Sequence, residues 1–392
     1  MDDSSQMKTS YHRIATGATA HAAQLAALAE GSRLRTLSPR KGLDFASNDY
    51  LGLAGSADLR AAVADAVAAG VPVGSGGSRL LRGNHEEHEA VEAEAARHYG
   101  SEAALFLATG FAANAALFGT LPQRGDLVVH DELIHASTHD GMKLGRAGRV
   151  AARHNDVQSF ADAIARWRAG GGTGQVWIAV ESLYSMDGDQ APLADLHALA
   201  RAEGGWLVVD EAHATGVFGP GGRGLAHAIA GEPDVLSLHT CGKALGVEGA
   251  LLCGSRVLID FLVNRGRPFI FSTAPSPLIA HAVRHAIRLS AAADDRRAAL
   301  SARFDHANAQ LAARLGVPRT GSQIIPVIIG DNGLTMRTGA ALQAGGFDVR
   351  GIRPPTVPEG TARLRLSITL NVTRDDIDAL VDLMAGSLAE AA

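Results

Sequence analysis

The chain has 392 residues, long enough to bury a large core without a disulfide or metal staple. Its 36 Lys+Arg against 41 Asp+Glu give a formal charge of -5, which excludes the strongly basic footprint of a general nucleic-acid binder. The two cysteines, Cys241 and Cys253, are too few for a disulfide scaffold and point to a reduced, cytoplasmic protein.

The start, Met1–Ser10, is polar and lacks the apolar stretch of a secretory signal. A helical pattern follows over His21–Glu30, then a basic turn, Arg33–Lys41; together these predict an N-terminal arm over residues 1–45. The stretch Ser56–Ala69 reads as a helix with Leu59, Val63, Ala66 and Val67 on one face. Near-continuous apolar runs then alternate with helical patterns: Ala103–Ala108, Leu127–His130, Val176–Glu181, Trp206–Asp210 and Val235–Leu238. Strands apolar on both faces between helices predict an α/β fold, a mostly parallel sheet flanked by helices, over residues 46–280. A long helical run (His281–Leu315), an apolar run (Ile324–Ile329), a strand (Arg363–Leu370) and a terminal helix predict a smaller α+β domain over 281–392. That strand alternates strictly: Arg363, Arg365, Ser367 and Thr369 share one face, which reads by itself as a solvated basic surface. No run approaches the length of a bilayer span, so no membrane partner is expected.

Four places carry residues suited to chemistry. Asp210 closes an apolar strand with His213 three residues on, where doubly wound sheets bind ligands. An Asp there can meet a metal, a ribose hydroxyl or a protonated ring nitrogen, or merely cap the next turn. Lys243 follows Thr240 between small residues; such a lysine is either nucleophilic through desolvation or an ordinary surface residue. Thr109-Gly110-Phe111 opens a helical run directly after a strand, where backbone N–H groups bind phosphate well. His85 and His88 share a helix face but miss the H-E-x-x-H spacing, and no third ligand is evident, so no metal is expected.

Taken together, Asn48–Leu53 (NDYLGL), Gly74–Arg79 (GSGGSR), Gly83–Glu89 (GNHEEHE), Thr109–Asn114 (TGFAAN), Ser185–Asp189 (SMDGD), Asp210–Gly216 (DEAHATG) and Gly242–Gly246 (GKALG) resemble the α-oxoamine synthases, a family of fold-type I pyridoxal-phosphate enzymes. The resemblance implies a decarboxylative condensation of an amino acid with an acyl thioester. Ile352–Arg365 and Gly330–Asn332 look most like the member that joins L-alanine to pimeloyl-CoA, or to the acyl-carrier-protein thioester, in biotin biosynthesis. A relative using glycine or serine with another acyl-CoA is the alternative. By the same resemblance Lys243 holds pyridoxal 5'-phosphate covalently and moves the α-proton, Asp210 pairs with the pyridine nitrogen, and His213 and Ser185 approach the ring oxygen. His135 stacks on the ring, while Thr109, Gly110, Phe111 and Thr240 hold the phosphate. Ser272 and Thr273 reach the neighbouring subunit's phosphate in a homodimer whose active site lies at the subunit interface. Arg365 clamps the amino-acid carboxylate, Asn48 lies near the substrate and Arg353 helps orient it. Arg363 is left solvated. An arginine before Asn48, either Arg33 or Arg35, meets the distal carboxylate of the acyl chain.

Overall fold

The computed structural model describes residues 19–37 and 39–389; the polar start Met1–Ser10 lies outside them. Its strands are β1 (Leu43–Asp44), β2 (Ala103–Leu107), β3 (Leu127–Asp131), β4 (Gly148–Ala152), β5 (Val176–Glu181), β6 (Trp206–Asp210), β7 (Val235–Thr240), β8 (Ala250–Gly254), β9 (Ile324–Gly330), β10 (Phe347–Asp348), β11 (Arg350–Ile352) and β12 (Ala362–Ser367). Seven of them form the main sheet in the order β2-β8-β7-β6-β5-β3-β4. All neighbouring pairs are parallel except those of β8, which runs against β2 and β7. β2, β3, β5, β7 and β8 are buried almost throughout. This is why their sequences read as unbroken apolar runs rather than alternating ones.

Helices cover both faces. Gly110–Thr120 and Arg256–Arg265 pack on one side, and Val157–Ala169 and Leu193–Ala202 on the other. Glu86–Tyr99 begins with a histidine cap: the His85 ring accepts the Glu87 N–H, and His88 reaches back to the His85 N–H while its Nε2 lies 2.8 Å from the Pro275 carbonyl. The two histidines are therefore spent on local structure.

Three expectations need correction. The long helix over His281–Leu315 is two helices, Pro277–Ala291 and Asp294–Leu315. Asp294 and Asp295 favour a helix start, where a carboxylate meets the positive end of the helix dipole. The first helix then packs on Glu86–Tyr99 and Ala57–Ala68, the second on the terminal helix Arg374–Ala389. Val67 is 52% exposed; the stripe facing inward is Leu59, Ala62 and Ala66, and at 100° per residue Val67 falls off its edge. The polar face of β12 is not solvated: Arg363 and Arg365 are 3% and 7% exposed. β12 is the central strand of a second, antiparallel sheet, β11-β12-β9. Its apolar face (Leu364, Leu366) joins a core with Phe45, Tyr50, Leu51 and the terminal helix, while the loop Tyr184–Asp189 covers its arginine face.

Candidate active site

The site forms where β5, β6 and β7 end, on the side where parallel sheets bind ligands. β5 and β6 are in register with Glu181 opposite Asp210, so both carboxyls reach the same edge. Asp210 does cap its turn, through the Ala212 N–H on Oδ1 (3.0 Å), and also accepts from Asn114 Nδ2 on Oδ2 (3.2 Å). The capped turn swings His213 under the end of β7, and its Nε2 lies 2.8 Å from Lys243 Nζ.

A chain of hydrogen bonds fixes the histidine tautomer. The Tyr50 hydroxyl donates to Asn48 Oδ1 (2.9 Å), an oxygen that also accepts from Arg365 Nη2 (3.1 Å). Tyr50 therefore accepts from His213 Nδ1 (2.6 Å), which leaves Nε2 as the acceptor for the lysine ammonium. Burial, reinforced by Lys243, holds His213 far below the ordinary imidazole range and therefore neutral. Burial also brings Lys243 down to about 8, against the opposing pull of Asp210. Such an amine sheds its proton near neutrality, as a nucleophile or base must.

The phosphate-type turn is present as well. Thr109 caps the helix Gly110–Thr120, its Oγ1 accepting the Ala112 N–H at 3.0 Å. Gly110 sits so close to β7 that a Cβ there would lie 2.8 Å from Thr240 Cγ2. The glycine keeps a cradle open in front of the first helical N–H groups, which have no partner within the helix. His135 caps the next helix, Ala136–Leu144, its Nδ1 accepting the Ser137 N–H at 3.2 Å and lying 2.8 Å from Ser137 Oγ. One pocket is lined by Gly110, Phe111, His135, Glu181, Asp210, His213, Thr240 and Lys243.

Arg365 reaches the site from β12. Its Nε donates to the Ser185 carbonyl (2.6 Å), Nη1 to Ser367 Oγ (2.6 Å) and Nη2 to Asn48 Oδ1. All three acceptors are neutral, and among the described residues no carboxylate pairs with this buried guanidinium. Arg363, by contrast, has its counter-ion: Nη1 lies 2.6 Å from Asp187 Oδ1 and 3.1 Å from the Met186 carbonyl.

A second cavity of about 460 Å³ adjoins the first, with His135, Ser185, Met186 and Pro355–Pro358 in its wall. The N-terminal arm meets that proline segment: Arg35 Nη2 is 3.3 Å from Thr356 Oγ1, Arg33 pairs with Glu359, and Arg353 donates to the Ser32 carbonyl. Ser272 and Thr273 stand apart; both are exposed, next to Phe271, and neither lines either of these two cavities.

Sequence reasoning missed four residues. Tyr50 and Asn114 lie inside motifs already singled out, yet a buried tyrosine and an asparagine read as packing. Ser137 gave no signal. Glu181 gave one: two neighbouring strand-like runs, VWIAVE and WLVVD, both end in an acid, and parallel pairing puts such ends together. It is 3% exposed, and burial, then Asp210, push its carboxyl up to about 8.

Comparison with known proteins points the same way. Residues 40–383 match the family model for class I and II aminotransferases. The 8-amino-7-oxononanoate synthase of Anaeromyxobacter dehalogenans is 44% identical over 352 residues, 89% of this chain and 87% of the relative. That of Methylobacterium radiotolerans is 39% identical over 378 residues, 92% of this chain and 96% of the relative. Among solved structures, Sphingomonas wittichii serine palmitoyltransferase superposes with a TM-score of 0.86 at 29% identity, covering 96% of this chain and 99% of that one. An S. paucimobilis serine palmitoyltransferase with a bound PLP–myriocin aldimine gives 0.85 at 27%, covering 95% and 98%. The 8-amino-7-oxononanoate synthase of Francisella tularensis gives 0.75 at 26%, covering 89% and 98%.

Proposed function

From a chain that belongs to the class I and II aminotransferase family and matches 8-amino-7-oxononanoate synthases over most of its length, we propose an acyltransferase of biotin biosynthesis. It condenses L-alanine with pimeloyl-CoA, or the acyl-carrier-protein thioester, to 8-amino-7-oxononanoate, carbon dioxide and free thiol. The observation that carries this reading is the buried Arg365 guanidinium, with no counter-ion among the described residues, set beside a lysine poised to lose its proton.

The pocket fits pyridoxal 5'-phosphate. Asp210 has both oxygens fixed by donors and stands at the pocket wall to receive a protonated ring nitrogen. The Gly110 cradle, with Thr109, Phe111 and Thr240 around it, suits a phosphate. When bound, the cofactor supplies an electron sink for a carbanion at the amino-acid α-carbon. The residues of the chain do the rest. Lys243 would hold the cofactor, and its Nζ, once free, would take the α-proton. Neutral His213 accepts from Lys243 and keeps that nitrogen placed, while its own Nδ1–H is held by Tyr50. His135, in the wall of the pocket, and Ser185, in the wall of the adjoining cavity, would help hold the ring. Arg365 turns its fork to the alanine carboxylate, where two parallel hydrogen bonds fix the orientation of the α-carbon; Asn48 steadies the fork.

The second cavity takes the acyl chain. Arg33, Arg35 and Arg353 gather at the proline segment that walls it, a setting that suits a distal carboxylate rather than a plain alkyl end. Burial, then the neighbouring Arg35, holds Arg353 below its ordinary range. We read Ser272 and Thr273 as reaching the partner's phosphate in a homodimer. The exposure of the neighbouring Phe271 (71%) supports a covered face there. Two buried free cysteines suit a cytoplasmic enzyme, and among the described residues no helix is long and apolar enough to cross a membrane. The test is thiol release by PLP-loaded protein. Release that requires both L-alanine and pimeloyl-CoA supports the reading; release with glycine or serine in place of alanine rejects the substrate assignment.

A further inference from the structure

Glu181 has no role in the reaction as described, yet it stands in the pocket wall beside Asp210. Two buried carboxyls lining one pocket do not readily both ionise. The hydrogen bonds show which keeps its proton. Asp210 has a donor on each oxygen and is supported as an anion. Among the described residues Glu181 has one donor, the Ser185 N–H on Oε2 at 3.0 Å, and its buried Oε1 has no hydrogen-bond partner. A bare buried carboxylate oxygen is far more costly than an uncharged O–H turned into the pocket. The backbone of the same residue continues the connection, because the Ser185 carbonyl accepts from Arg365 Nε at 2.6 Å. One residue's N–H and C=O thus link Glu181 on β5 to the guanidinium on β12.

We propose that Glu181 is a positioning residue that works as a neutral acid: it fixes the Ser185 backbone and, through it, the Arg365 fork that grips the amino-acid carboxylate. The proposal rests on Arg365 being the amino-acid clamp. It follows that the residue needs an acceptor at Oε2 and no charge. It also follows that losing Glu181 weakens amino-acid binding and leaves cofactor and thioester binding alone.

The experiment compares Glu181→Gln and Glu181→Ala with the wild-type, PLP-loaded, full-length enzyme. Amino-acid affinity is read by visible absorbance titration without thioester, and KM for both substrates by thiol release. Glutamine keeps an acceptor for Ser185 and carries no charge, so its amino-acid affinity stays within about threefold of wild type. Alanine leaves the Ser185 N–H without a partner and weakens amino-acid affinity by about tenfold, with an unchanged resting spectrum and thioester KM. If the alanine variant is insoluble, Glu181→Asp, one methylene shorter, replaces it with the same expectation. A glutamine variant as impaired as the alanine variant would overturn the neutral-acid assignment. Wild-type amino-acid affinity in Glu181→Ala, or an equal rise in thioester KM, would overturn the positioning role. Because the titration needs no thioester, it is run with whichever of alanine, glycine or serine wild type binds. A failure of the substrate reading therefore shows in the wild-type preference, and a failure of this proposal only in the variants.

Discussion

Replacing Arg365 with methionine separates binding from stability. The side chain is 7% exposed and holds three neutral acceptors. Methionine fills similar length but drops the charge and every hydrogen bond. Two stability effects then oppose each other. The Ser185 carbonyl loses its guanidinium donor, a loss of about 1–3 kcal/mol; Asn48 Oδ1 keeps Tyr50 as a partner. Against that, an uncompensated buried charge is removed, relieving a desolvation penalty of several kcal/mol. The net change in folding free energy should therefore stay within about 2 kcal/mol of zero, in either direction. Substrate binding has no such offset. Two charge-assisted hydrogen bonds to a carboxylate contribute about 1.5–3 kcal/mol each, so L-alanine should bind roughly 10²- to 10⁴-fold more weakly. Arg365→Lys keeps the charge but not the fork and should fall between, at about tenfold or more. Urea unfolding of the apo protein measures the first quantity, and absorbance titration of the PLP-loaded protein the second. Alanine affinity within about threefold of wild type in Arg365→Met would refute the reasoning, because a carboxylate clamp cannot be that dispensable.

Other predictions follow from the same geometry. Lys243→Ala should abolish turnover while still binding the cofactor noncovalently; borohydride reduction and peptide mass analysis should find the cofactor on the Lys243 peptide of wild type and on no peptide of the variant. Gly110→Ala should weaken cofactor affinity about tenfold, since a Cβ 2.8 Å from Thr240 Cγ2 forces the cradle to shift; fluorescence titration with pyridoxal phosphate checks it. His154 lies between Asp131 Oδ1 (2.9 Å) and Asp189 Oδ2 (2.7 Å). Burial opposes its charge, but the two carboxylates outweigh burial and raise its pKa to about 10. A raised histidine pKa stabilises the fold fully below the unfolded value near 6.5, and the contribution is lost as pH rises through about 10. His154→Gln should therefore cost about 2 kcal/mol at pH 6 and much less at pH 10, by urea unfolding; an equal penalty at both pH values would reject the ion-pair account.

Much of the site is legible in the sequence because its residues are local to recognisable strand ends. Asp210, Lys243 and Thr109 each follow an apolar run, and a parallel sheet brings such ends together whatever their order along the chain. The main sheet follows from the same runs. Elements that depend on distant partners are harder to read. β4 is an exposed edge, Gly148–Ala152, with no apolar run to announce it. β8 is apolar, but its reversed direction is set by its neighbours β2 and β7. The burial of Arg363 depends on Asp187, which lies 176 residues earlier. Glu181 becomes informative only when set beside Asp210, a pairing that sequence spacing does not carry.

The central claim is tested most directly by mass analysis of the product formed by PLP-loaded protein from L-alanine and pimeloyl-CoA. The account predicts 8-amino-7-oxononanoate, with one carbon dioxide and one free thiol released per product and no product from glycine or serine. A product formed from glycine or serine while alanine is left unconsumed would keep the family and contradict the assigned reaction. No product from any of the three would contradict the roles given to Lys243 and Arg365 together.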